Sequence, residues 1–274
     1  MKWRFAWLVA VVVLAAGLSS WRWAGVQNGN NVSDAEATAP AGQFWQPAPR
    51  TTWQWQLSGT VDQSFDVDVY DIDGFENSAA VVAALHAKGR KVICYLNVGA
   101  AETFRPDYQA FPASLLGKGN GWAGEHWLDI RRTSVLLPLM AKRFDLCRAK
   151  GFDAVEPDNV DAYTNDSGFP LHAADQLRYN RAIANLAHDR GLSVGLKNDL
   201  AQVPQLVGEF QFAVDEQCAE FSECDELVPF IRQDKAVFHV EYTLKTSAFC
   251  SRTRALGFSS LHKNLDLDAH REAC

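Results

Sequence analysis

The chain has 274 residues, 47% hydrophobic and 22% charged, with a formal net charge of −7. That is enough for one large α/β domain with a full core, and the composition excludes a collagen, a coiled coil or wholesale disorder. The acidic balance disfavours nucleic acid as a partner and suits a cationic or neutral ligand, although acidity that only keeps an exported protein soluble explains the charge as well.

At the N-terminus, Lys2 and Arg4 precede an apolar run from Phe5 to Leu18, followed by the small residues Ser19 and Ser20. The run falls short of the roughly 20 residues of a membrane span. Residues 1–24 therefore read as a cleaved signal peptide, with a mature start between about residues 19 and 26. An uncleaved membrane anchor is the alternative, since Trp21, Arg22 and Trp23 suit an interface. Residues 25–50 are rich in Asn, Ala, Gly, Pro and Gln and read as a flexible linker. A single catalytic domain is expected over 51–274.

Inside it a helix, a basic residue with Gly, and an apolar strand recur. Lys88-Gly89 leads into the strand 92–97, Lys150-Gly151 into 152–158, and Arg190-Gly191 into 192–198. Glycine ends a helix in the left-handed conformation, and the cation complements the helix dipole. Between them, Leu136, Leu139, Met140, Phe144 and Cys147 share one helical face. Further strands are expected at 53–57, 66–71, 127–130, 211–216, 236–241 and 258–262. Strands alternating with helices imply a parallel sheet covered by helices. With no GxGxxG or P-loop turn, the (β/α)8 TIM-type barrel is preferred to a doubly wound sheet. Nine strands are one too many, and the 57–66 gap is short for a crossover.

Six cysteines fit an oxidising, extracytoplasmic compartment. Cys218–Cys224 would close a short loop and Cys250–Cys274 would tie down the C-terminus. Cys94 and Cys147 are left over, and Cys94, inside an apolar strand, reads as a buried free thiol.

A barrel gathers its site at the C-terminal strand ends. Alternation along each strand directs Asp71 and Asp73, Glu156 and Asp158, Glu216 and Glu241 towards one mouth. Crowded carboxyls separate in pKa, so one can act as an acid while another stays ionised, and two carboxyls flanking a glycosidic bond are what sugar hydrolysis requires. Tyr70, Tyr95, Trp122, Trp127, Tyr163 and Tyr242 could stack on sugar rings. No HExxH or HxH spacing points to zinc and no Gly-x-Ser-x-Gly elbow to a serine hydrolase, so neither a metal nor another cofactor is expected.

The segments Val69-Tyr70-Asp71-Ile72-Asp73-Gly74, Val92 to Glu102, Gly151 to Asp161, Gly195-Leu196-Lys197-Asn198 and Glu216-Gln217-Cys218, in this order, resemble glycoside hydrolase family 114. The resemblance implies a TIM-type barrel with endo-α-1,4-polygalactosaminidase activity on a cationic, partly acetylated amino-sugar polysaccharide. Its catalytic pair matches Asp158, as nucleophile of a retaining mechanism, and Glu216, as general acid/base. Asp71, Asp73, Tyr95, Asn97, Glu156, Asn159, Lys197, Asn198, Glu241 and Tyr242 would form the substrate site of a secreted monomer. Two rivals stay open: a carbohydrate-binding barrel without catalysis, and a metal-dependent hydrolase using the same acids.

Overall fold

The computed structural model describes residues 44–274. The expected signal peptide and most of the expected linker lie outside the described residues. The last part of that linker stretch is bonded to the domain, through Ser193 Oγ donating to the Trp45 carbonyl and Ala236 N–H to the Pro47 carbonyl. Among the described residues, no helix is long and apolar enough to cross a membrane.

In chain order the elements are β1 (Trp53–Gln56), β2 (Val69–Asp73), α1 (Ala79–His86), β3 (Lys91–Asn97), β4 (Ala100–Glu102), β5 (Leu116–Gly119), β6 (Glu125–Leu128), α2 (Thr133–Lys150), β7 (Ala154–Asp158), α3 (Ala173–His188), β8 (Ser193–Lys197), α4 (Val203–Leu206), β9 (Phe212–Glu216), α5 (Val228–Ile231), β10 (Val237–Glu241), α6 (Thr246–Leu256), β11 (Ser259–His262) and β12 (Glu272–Ala273). Strands β1, β2, β3, β7, β8, β9, β10 and β11 pair in parallel in that order, and the curled sheet with its helices is the expected TIM-type barrel. The spare strand, 127–130, is displaced into β6, the centre of a small antiparallel sheet of order β4-β6-β5 inserted after β3. The short 57–66 connection is genuine: β1 and β2 are joined without a helix.

The seam between β11 and β1 is filled by the C-terminal segment. β12 pairs antiparallel with β11. On the other side, Leu57 and Ser58 donate their N–H groups to the Leu267 carbonyl, and Arg271 Nε donates to the Trp53 carbonyl at 2.9 Å.

Alternation divides the strands into two packed shells. Trp53, Trp55, Val69, Ile93, Ala154, Phe212, Val214, Phe238 and Val240 fill the barrel interior, while Tyr70, Cys94, Val155, Val194 and Val237 pack outward under the helices. Interior volume is tight at Gly195: a Cβ there would meet the Phe212 ring at 2.2 Å, so only glycine lets that ring occupy the barrel floor.

All six cysteines are bonded. Cys218–Cys224 and Cys250–Cys274 form as expected, but Cys94 is not a free thiol. It is joined to Cys147, with the Cα atoms 6.0 Å apart. Cys94 belongs to the outward shell of β3 and Cys147 to the buried face of α2, and those two surfaces pack on each other. The bond closes the longest of the three loops, which in the chain-entropy account makes it the most stabilising.

Candidate active site

The barrel mouth opens into a cleft of about 530 Å³. Asp158 ends β7, Lys197 ends β8 and Glu216 ends β9, all on the inward register. Lys197 Nζ lies 3.0 Å from Asp158 Oδ1, 3.1 Å from Glu216 Oε2 and 3.3 Å from Glu156 Oε1. Its ammonium is spent on these three carboxylates, and it rests over the Trp55 ring at 4.8 Å. Burial opposes that charge, yet Asp158, Glu216 and Glu156 together hold the lysine pKa well above its ordinary value.

Each member of the pair has its own donors. Asp158 accepts from Tyr95 Oη at 2.7 Å, from Asn159 N–H at 2.8 Å and from Lys197. Burial pushes its pKa up, but the lysine charge and these hydrogen bonds prevail and hold it below the usual carboxylate value. Glu216 accepts from Tyr242 Oη and Lys197, with Asn198 Nδ2 at 3.5 Å. Asn198 Oδ1 in turn accepts the Glu216 N–H at 3.0 Å.

The chain turns sharply just beyond each of these residues. Asn159, Asn198 and Gln217, which follow β7, β8 and β9, have φ of 61°, 49° and 66°. For side-chain-bearing residues this costs on the order of 1 kcal/mol or more each, least for Asn. At Asn159 the turn aims the backbone N–H at the Asp158 carboxylate. The neighbouring backbone is packed against it: a Cβ on Gly99 would lie 1.6 Å from the Asn159 carbonyl oxygen.

Beneath this layer lie Asp71 and Glu156, both fully buried. They lie close enough for each to shift the other's pKa. Apart from the Lys197 contact, none of their four oxygens has a donor. Two crowded, buried carboxyls disfavour being ionised together. Burial and Glu156 push Asp71 well above its ordinary value; burial, with Asp158 and Glu216 adding, pushes Glu156 up to about 7 against the pull of Lys197.

Of the expected site residues, Asp73, Tyr95, Asp158, Asn159, Lys197, Asn198, Glu216 and Tyr242 line the cleft. Asp73 is already engaged by Arg105 through both oxygens. Asn97 is buried behind the wall, donating to Glu125 at 3.1 Å. Asp71 and Glu156 are below the floor, not on it. Glu241 does not reach the mouth at all. On β10 the inward residues are Phe238, Val240 and Tyr242, so Glu241 faces outward with His239, accepting from His239 Nε2 at 2.9 Å and Ala219 N–H at 2.8 Å. Trp122 and Trp127 line the cleft, whereas Tyr70 faces the outer shell and Tyr163 is not among the lining residues.

The side sheet supplies residues that strand alternation missed: Glu102, Phe104, Arg105, Asn120 and Glu125. They come from the short strands β4 and β6 and the irregular chain around them, between β3 and α2, where no long periodicity marks a face. Four large hydrophobic side chains are exposed among the described residues, and three of them, Phe104, Trp122 and Leu265, lie on this cleft. Such clustering of exposed apolar groups marks a binding surface. Its only lining cations, Arg105 and Lys197, are both held by carboxylates, while Glu125, Asp161 and Asp266 have no ion-pair partner among the described residues. Burial raises Glu125, and burial with the nearby Asp158 raises Asp161 to about 6.

Comparison with known proteins bears on the family and the fold. The model of glycoside-hydrolase family GH114 matches residues 34–274. The crystal structure of Aspergillus fumigatus Ega3 in complex with galactosamine is similar at 39% identity and a TM-score of 0.80, over 85% of this chain and 100% of that one. The glycoside hydrolase domain of PelA from Pseudomonas aeruginosa shares the fold, at 16% identity and a TM-score of 0.63, over 82% of this chain and 98% of that one. An uncharacterised protein of Deinococcus radiodurans is 35% identical over 150 residues, 52% of this chain but only 43% of that relative's length.

Proposed function

Because the chain belongs to glycoside-hydrolase family GH114, we propose that it is a secreted, endo-acting hydrolase of α-1,4-linked galactosamine polymer. The single observation that carries the reading is the Asp158–Lys197–Glu216 bridge at the end of a cleft rich in unpaired acids. A partly deacetylated galactosamine chain carries ammonium groups, which Glu125, Asp161 and Asp266 would attract. Phe104 and Trp122 offer apolar faces to its rings. The galactosamine complex of the Ega3 protein supports the same sugar class.

Asp158, kept ionised by its donors, attacks the anomeric carbon while Glu216 gives its proton to the departing glycosidic oxygen. In the glycosyl-enzyme the Asp158 charge is lost to the ester and Glu216 is now the anion. Glu216 then takes a proton from water, which opens the ester. One negative charge thus alternates between the two carboxyls, and Lys197, in contact with both, balances it in either position. One oxygen of each carboxyl lies close to 3 Å from the same Nζ, so those two oxygens are at most about 6 Å apart, which is compatible with the roughly 5–5.5 Å carboxyl separation of retaining enzymes. The three disulfides fit export to an oxidising compartment.

The test is incubation of the purified chain with deacetylated polygalactosamine, following new reducing ends and the anomeric configuration of the first product by NMR. Oligomers released with the α configuration are expected. Binding without new reducing ends would leave a carbohydrate-binding barrel, and activity lost to chelators would favour a metal-dependent hydrolase.

A further inference from the structure

The barrel seam holds a second group of chemically capable side chains, remote from the catalytic pair in role and in face. His262 ends β11. His270 and Glu272 stand on the returning segment, with Glu272 directly opposite His262 in the antiparallel register. One ligand-capable atom from each of the three lies within 4.8 Å of the other two. His270 Nε2 is 3.8 Å from Glu272 Oε1, too far for a hydrogen bond. The two imidazoles meet edge to face at 5.8 Å. His262 Nδ1 is buried and has no hydrogen-bond partner. A buried polar atom left in that state calls for an explanation, and a bound ion is one of the few available.

We infer that His262, His270 and Glu272 bind a divalent transition metal, zinc being the best fit. Two imidazoles and one carboxylate are a borderline-soft donor set that suits zinc and not calcium or magnesium. Water completes the tetrahedron. Bonds of about 2.0–2.1 Å place tetrahedral ligand atoms roughly 3.4 Å apart. Reaching that spacing needs movement only of His270 and Glu272, whose side chains are 36% and 54% exposed. The neighbouring cations are engaged by main-chain oxygens: Lys263 Nζ donates to the Asp268 carbonyl at 2.8 Å and to the His270 carbonyl, and Arg271 to the Trp53 carbonyl.

The location gives the metal a task. The loop 263–271 begins beside His262 and ends at His270 and Glu272, and its tip, Leu265, Asp266 and Leu267, walls the cleft. A bound ion would pinch the neck of this loop and fasten the seam between β11 and β1. The effect falls on the order of the cleft wall and on stability, since no ligand touches Asp158 or Glu216.

The experiment is titration of chelator-treated, otherwise intact protein with Zn²⁺ against a chromophoric competing chelator, with a thermal melt at each end point. One equivalent should bind and raise the melting midpoint. His270→Ala and Glu272→Gln, both at exposed side chains, should each lower affinity at least about tenfold and abolish the rise, without changing the metal-free midpoint. His126→Ala, on β6, should bind as the parent does. No stoichiometric binding, or binding that His270→Ala leaves unchanged, overturns the proposal; the second outcome would put the ion elsewhere, such as in the acidic cleft. The readout is independent of glycosidase activity.

Discussion

Glu156 and Asp158 sit two residues apart on the same face of β7, yet their carboxyl pKa values are pushed in opposite directions. Asp158 has the Tyr95 hydroxyl, the Asn159 backbone N–H and Lys197 as donors, and is held below the ordinary carboxylate pKa. Glu156, one layer deeper, has Asp71 and a share of Lys197, and is pushed up to about 7 by burial. Burial acts on both. The number of donors decides which one stays ionised. A single strand thus presents a carboxyl with a lowered pKa on the floor of the cleft and, beneath it, one whose pKa is raised.

The sharpest way to break the comparison is to remove charge from the upper layer. Asp158→Asn and Glu216→Gln each keep volume and lose the ionisable group, and turnover on polygalactosamine should fall by about 10⁴-fold. Lys197→Met removes the bridge while keeping the apolar contact with Trp55, and should lower kcat by about 10²–10³-fold, as loss of a preorganised donor does. Steady-state kinetics with a parallel melt checks both. A variant that melts normally and keeps near-full activity at position 158 or 216 ends the two-carboxylate assignment.

The lower layer should respond to pH and not to chemistry. A carboxyl whose folded pKa is raised contributes its full stability below the unfolded value, about 4, where both states hold the proton. That stability is lost as pH rises towards the folded value, about 7 for Glu156, because the unfolded chain releases the proton freely and the folded one does not. The slope is about 1.4 kcal/mol per pH unit per group. Asp71→Asn leaves only one such group and supplies Glu156 with a permanent amide donor. Its melting midpoint should therefore gain on that of the parent as pH rises from about 5 to 8. Parallel curves would mean that the pair does not hold a proton.

Much of this was legible in the chain. The Gly-ended helices and apolar strands mark the barrel, and alternation brings Asp73, Asp158 and Glu216 to the mouth because β2, β7 and β9 end in polar residues on one register. The choice of Asp158 and Glu216 as the expected catalytic pair rests on family resemblance, not on spacing. Elsewhere the physics hides the answer. β10 is buried on both faces, Val237 and His239 outward and Phe238 and Val240 inward, as barrel strands are, so the facing of Glu241 could not be read. The Cys94–Cys147 bond needed the outward register of β3 and the buried face of α2 to be put together. The cleft wall from 100–128 has no period to follow. His262, His270 and Glu272 meet only across a hairpin, so no short metal motif announces them.

The smallest expected effect is at Glu241, and it tests whether position, not charge, defines the site. Glu241 is fully buried like Glu156 and ends a strand like Glu216. It faces the outer shell, where Oε1 accepts from His239 Nε2, Ala219 N–H and Glu220 N–H while Oε2 has no partner. In Glu241→Gln the amide oxygen can keep the Oε1 bonds, and the loss is that of charge-assisted hydrogen bonds becoming neutral ones, about 1 kcal/mol. This should appear as a modest drop in melting midpoint. KM and kcat should stay within about twofold of the parent, since nothing that touches substrate or the Asp158–Lys197–Glu216 bridge has moved. A rise in KM with an unchanged midpoint would return Glu241 to the substrate site and contradict the outward register of β10.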